Sequence, residues 1–132
     1  MLPWPARELS PNARGHWAKK STVAKRYRHT CKIKTLQAIQ EGGWDVQAAR
    51  DLAEAGGYLH LFIDFYPPDR RHRDDDNVIA SFKSGRDGLA DALKIDDSRF
   101  RTHPFLERDK PVKGGGVWVT VTGHLPRDGD TA

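Results

Sequence analysis

The sequence predicts a mixed α+β fold in one domain, with elements in the order β-α-β-α-β-β and a small mixed sheet packed against two main helices. Three observations predict it. The chain has 132 residues, enough for one core. Residues 58–66 and 116–123 alternate apolar and polar side chains with the period of a strand. Residues 17–40 and 77–93 space their apolar side chains as helices do. Strands with helices on one side bury these stripes most economically.

The elements follow in order. Leu2 to Trp4, bounded by Pro3 and Pro5, predicts the stub of an edge strand. A loop over residues 7–14 leads to a helix from His16 or Trp17 to Gln40, ended by Gly42-Gly43. Its buried stripe is Val23, Tyr27 and Cys31, and lysines and arginines cover the rest. Trp44 to Ala55 predicts a short helix or turn, closed by Gly56-Gly57. From Tyr58 to Tyr66, Leu59, Leu61, Ile63 and Phe65 share one face, and Pro67-Pro68 ends the strand. Asn77 to Leu93 predicts a helix with an apolar face of Ile79, Phe82, Leu89 and Leu93. Residues 99–107 and 116–123 predict two strands joined by a glycine-rich turn at residues 113–115. The domain is expected to span residues 1–126, with a polar tail at 127–132.

Composition narrows the function. Leu, Ile, Val and Phe number 27, one fifth of the chain, so the core is thin and a second subunit is expected to complete it. The single cysteine, Cys31, permits no internal disulfide and no thiolate metal cluster, which points to a reducing, cytoplasmic compartment. No apolar stretch is long enough for a membrane span, and Met1-Leu2-Pro3-Trp4-Pro5 does not have the form of a signal peptide. The net charge of +4 conceals an asymmetry. Residues 1–40 hold nine Lys or Arg against one acid, Glu8, whereas the remainder carries an acidic excess. A positive field concentrated in one segment favours a polyanion such as nucleic acid; a solvated basic helix face is the plainer alternative.

Asp74, Asp75 and Asp76 form the densest acidic cluster, between Arg70-Arg71-His72-Arg73 and a predicted helix. In an extended chain Asp74 and Asp76 project to one side, an Asp-x-Asp geometry suited to a hard cation such as Mg²⁺. A single Asp there is explained as a helix cap, but three adjacent carboxylates leave surplus charge for a cation or arginines to neutralise. Lys83, seven residues after Asp76, falls on nearly the same helical side and is a candidate for stabilising developing charge; a surface pair with Asp87 is the alternative. Asp97 is a candidate third carboxylate, with Asp96 either a plain turn residue or its partner. Other motifs fail on spacing. An EF-hand loop from Asp74 would meet Ile79 and Gly85 where Gly and Glu are needed, and no phosphate-binding glycine loop exists, so no nucleotide cofactor is expected.

These residues resemble the RusA-type Holliday junction resolvases, common in bacteriophages and prophages. The resemblance rests on "LPWP", "SPNARGHW" with the basic helix after it, "FYPPDRRHRDDDN", "FKSGRDGLADALKIDDS" and "KGGGVWVTVTG", in family order over most of the chain. It implies a homodimeric, Mg²⁺-dependent (or Mn²⁺-dependent) endonuclease that cuts symmetrically related strands of four-way DNA junctions. The family's catalytic, metal-holding acids fall on Asp74, Asp76 and Asp97, and its lysine best matches Lys83, three residues further from Asp76 than in the well-known bacterial member. Backbone phosphates would be held by Arg14, Lys19, Lys20, Lys25, Arg26, Arg28, Arg70, Arg71 and Arg73, with Asn12 and His16 in the N-terminal loop also against DNA. The competing expectations are a metal nuclease for other branched or flap DNA and a non-catalytic junction-binding protein.

Overall fold

The alternation over Tyr58–Tyr66 becomes β1, the central strand of a three-stranded sheet, in a computed structural model that describes residues 1–124. The expected tail at 127–132 lies outside the described residues. Parallel to β1 runs β2 (Phe100–Leu106), with Leu59 opposite Phe100; antiparallel to it runs β3 (Gly116–His124), with Ile63 opposite Val119. Odd-numbered β1 residues from Leu59 to Phe65 are at most 2 % exposed, so one face of the sheet is the core. Burying a side chain of this size contributes about 1.5–3 kcal/mol.

Two helices cover that face. Helix α1 (Trp17–Gln40) turns Tyr27, Cys31 and Thr35 inward and leaves Val23 only half-buried. Residues 77–93 do not form one helix. The chain forms α3 (Asp75–Ser81) and α4 (Lys83–Leu93), broken at Phe82, and Val78 rather than Ile79 is the buried residue of the first segment. Phe82 sits edge-on to both Tyr27 and Phe65 with ring centroids 6.2 and 5.6 Å away, and this burial favours the break over a continuous exposed turn. Helices α1 and α4 pack through Gly88, where a β-carbon would strike the Arg28 carbonyl. The short α2 (Val46–Glu54) is capped by Asp45, which accepts the Ala48 N–H at 3.0 Å.

The first expected strand is reduced to one bridge. Leu2 exchanges both backbone hydrogen bonds with Val117 at 2.8 Å, and the ladder stops there because Gly115, which would pair next with Trp4, gives its N–H to the Val112 carbonyl at 2.7 Å. Tyr27 donates to the Pro3 carbonyl at 2.6 Å, tying this segment to α1, and a one-turn 3₁₀ helix (Arg7–Leu9) then packs against α3. Among the described residues, no helix is long and apolar enough to cross a membrane.

Candidate active site

Two prolines end β1, and the loop that follows is held by its own charges. Asp69 accepts the Arg71 N–H at 2.9 Å and pairs with the Arg73 guanidinium at 2.9 Å. The first of these contacts, helped by the second, holds its carboxyl below the usual carboxylate range. Arg73 also lies over the Trp4 ring, 5.7 Å from its centroid. The loop therefore arrives at Asp74 in a defined course, beside a hollow lined by Arg70, Arg71, Arg73 and Arg108.

The three aspartates have three different environments. Asp74 caps α3, its Oδ1 accepting the N–H groups of Asp76 at 2.9 Å and Asn77 at 3.4 Å. Asp75 pairs with Arg108, which also donates to the Arg73 carbonyl at 3.0 Å. Asp76 is exposed and has no ion pair among the described residues. Helix capping and an arginine thus account for two of the three carboxylates, and one is left over. Arg108 was missed by sequence reasoning because it lies 33 residues from Asp75 and no spacing rule links them.

Asp97 is placed elsewhere. It opens a 3₁₀ turn (Asp97–Arg99) ahead of β2 and pairs with Arg86 at 3.2 Å. Asp96 is the turn residue, accepting the Ser98 N–H at 2.9 Å, and that contact holds its carboxyl below the usual range. Asp97 precedes the start of β2, whereas Arg108, which holds Asp75, follows its end. Seven strand residues at about 3.3 Å each put about 20 Å between those ends. The expected triad of Asp74, Asp76 and Asp97 is not brought together within one copy. Among the described residues no three His, Cys, Asp or Glu side chains form a group able to hold a metal ion. Asp97 instead lines a separate hollow with Asp87, Asp91, Lys94 and Arg28.

The basic residues also divide. Arg14, His16, Lys19 and Lys20 come together around a hollow of 320 Å³ at the start of α1. There His16 Nδ1 accepts the Ala18 N–H at 3.2 Å, and Lys20 reaches the Ala13 carbonyl. Trp17 is 75 % exposed, so it anchors no core. Asn12, Lys25 and Arg26 are exposed. Arg28 is engaged, forming two hydrogen bonds to Asp91 at 2.6 and 2.8 Å that raise its own pKa and lower that of the acid. Lys83 is exposed at the start of α4, and no ion pair to Asp87 is formed. Packing of the Arg7–Leu9 turn against α3 brings the N-terminal region close to the Asp74–Asp76 segment.

A protein of Xylella fastidiosa (strain Temecula1), named only as an uncharacterized protein, is 45% identical to this chain over 122 residues, which are 92% of this chain and 74% of the relative. The chain belongs to the same family as that protein. No family model matches it, and no solved structure matches it. The family relation therefore supports a shared fold along most of the chain and assigns no chemistry.

Proposed function

We propose that the protein is a Mg²⁺-dependent endodeoxyribonuclease that cuts branched DNA, with four-way junctions as its preferred substrate, and that it acts as a homodimer in the cytoplasm of a bacterium or of a phage-infected cell. The observation that carries this reading is Asp76: an exposed carboxylate with no ion pair among the described residues, two residues after the capping Asp74 and directly after the arginine-rich loop. A protein that only bound DNA would gain nothing from an unneutralised acid placed there, because it repels phosphate.

Asp76 is the second residue of α3 rather than part of an extended run, so the Asp-x-Asp geometry expected from the sequence is replaced by a cap and a helix residue, and Mg²⁺ would be held by this carboxylate pair. Asp74 commits Oδ1 to the α3 N-terminus and keeps Oδ2, and Asp76 keeps both oxygens. Mg²⁺ is commonly held by one or two carboxylates, with water and substrate phosphate filling its other positions, so a third protein ligand is not required. Such an ion, when bound, activates water and stabilises the leaving oxygen of a phosphodiester. The chain's own residues do the rest. Asp74 and Asp76 supply the negative charge that attracts the cation, and the α3 cap fixes the orientation of Asp74. Arg70, Arg71 and Arg108 line the hollow beside the loop that leads into the pair, where backbone phosphates would lie. Arg14, Lys19 and Lys20 extend the same positive field. Lys83, exposed as the first residue of α4, would meet a phosphate rather than a protein carboxylate.

Incubation of the protein with a synthetic four-way junction and Mg²⁺, beside flap and linear duplexes, tests the reading. Paired incision of the junction is expected. Cutting of flaps alone would support another branched-DNA nuclease, and tight junction binding with no cutting in Mg²⁺ or Mn²⁺ would leave only an architectural role.

A further inference from the structure

Among the described residues, no large apolar side chain is more exposed than Trp17, at 75 %. It is the first residue of α1 and belongs neither to the core nor to the side chains packed against it. A tryptophan held in water contributes little to folding, and aromatic side chains of this kind are enriched at contact surfaces. Its ring lies near-parallel to that of His16, with planes 23° apart and centroids separated by 6.3 Å. His16 is fixed in turn: Nδ1 accepts the Ala18 N–H at 3.2 Å, so the proton of the neutral imidazole sits on Nε2, an exposed donor.

The surroundings are cationic. His16 also lines the hollow at the start of α1, where Arg7, Arg14, Lys19 and Lys20 stand against one acid, Glu8. Lys20 is tied to the Ala13 carbonyl and holds the loop to α1, whereas Arg14 and Lys19 are exposed and form no ion pair among the described residues. The Arg7–Leu9 turn beside the hollow is the one packed on α3, the helix that carries Asp76. A flat aromatic ring next to unpaired cations matches a nucleotide in two parts, the ring for the base and the cations for its phosphates. The same cations disfavour a protein partner, because the centres of protein interfaces are depleted of charge. A regular duplex hides its base faces in the stack, and a branch point exposes them.

We propose that Trp17 stacks on an unstacked base at the branch point of DNA, while Arg14 and Lys19 hold the phosphates on either side of that base. The proposal rests on the reading above for its ligand, branched DNA, but not on a metal or on cutting. Phosphate contacts position a protein on any duplex, so they do not separate a branched duplex from a linear one. A ring that is satisfied only by an exposed base face supplies that discrimination.

Fluorescence titration in EDTA with a single-stranded oligothymidylate and with a four-way junction tests this. Binding of either DNA is expected to quench tryptophan emission. Trp17→Phe should keep the affinity within about threefold and lose most of the quenching, and Trp17→Ala should weaken binding at least about fivefold. The slope of log affinity against log salt should be unchanged in Trp17→Ala, since stacking releases no counterions, and should fall in Lys19→Ala. Circular dichroism of each variant confirms that it is folded. An undiminished affinity of Trp17→Ala overturns the proposal, as does quenching that survives Trp17→Phe. A Trp17→Ala chain that is monomeric where wild type is dimeric would make Trp17 a subunit contact, and also overturns it. A wild type that binds the junction without quenching overturns this proposal alone, whereas one that binds neither DNA overturns the branched-DNA reading with it. Cleavage plays no part in these measurements, so loss of the nuclease chemistry leaves them unchanged.

Discussion

Arg86 holds Asp97 at the opposite end of the sheet from Asp74. Its guanidinium pairs with the Asp97 carboxylate at 3.2 Å, donates to the Asp97 carbonyl at 3.1 Å and to Thr102 Oγ1 at 3.1 Å, and lies over the Phe100 ring. One arginine thus fixes the connection from α4 to β2. Arg86→Ala is expected to cost about 1–3 kcal/mol, because it leaves several acceptors without their charged donor. Asp97→Asn, at a half-exposed carboxylate, should cost less than about 1 kcal/mol. Urea unfolding of both variants checks the order; equal losses would show that the ion pair, and not the backbone contacts, holds the turn.

Gly88 is where α4 meets α1. A β-carbon there would collide with the Arg28 carbonyl and come within 3.0 Å of the Cys31 β-carbon. Gly88→Ala is expected to destabilise the protein by about 1–3 kcal/mol, against the usual helix-stabilising direction of that substitution. Thermal unfolding measures it, and a raised melting temperature would contradict the packing described.

Cys31 reports the same contact chemically. Its thiol is fully buried, and burial pushes its pKa up to about 11. A thiol reagent at neutral pH should therefore modify the folded protein only through opening, far more slowly than the urea-unfolded chain, and Gly88→Ala should accelerate it. Rapid modification of native protein would show that α1 is not seated on the core.

The fold was largely legible because its signals are local. Alternation marks β1 and β3, and Gly42-Gly43 follows the end of α1. The break at Phe82 was not legible, since both segments carry helical spacing and only the fit of one ring against Tyr27 and Phe65 separates them. The first strand was over-read because Leu2 pairs with a single residue. In the candidate site, the cap at Asp74 and the arginine loop follow from nearest neighbours. The distance from Asp76 to Asp97 depends on how α3, α4 and β2 stack, and Arg108 reaches Asp75 from across the fold. Neither can be read from spacing.

Acid stability carries a signature of α1 docking on α4. Arg28 lowers the pKa of Asp91 in the folded state. The contribution is therefore fully present above the ordinary carboxylate range and is lost as pH falls below it through the depressed value. Asp91→Asn should flatten the fall in melting temperature between about pH 5 and pH 2 without altering the trend above pH 6. An unchanged acid limb would place the dependence on Asp69 or Asp96, whose carboxyls are also held low.

We propose that Asp76, left without an ion pair among the described residues beside the capping Asp74, holds a divalent cation for cutting branched DNA, and Asp76→Asn is the decisive variant. With wild type cutting a four-way junction in Mg²⁺, Asp76→Asn is expected to bind the junction as tightly but to cut it at least about a hundredfold more slowly. Cutting by Asp76→Asn at the wild-type rate would contradict it.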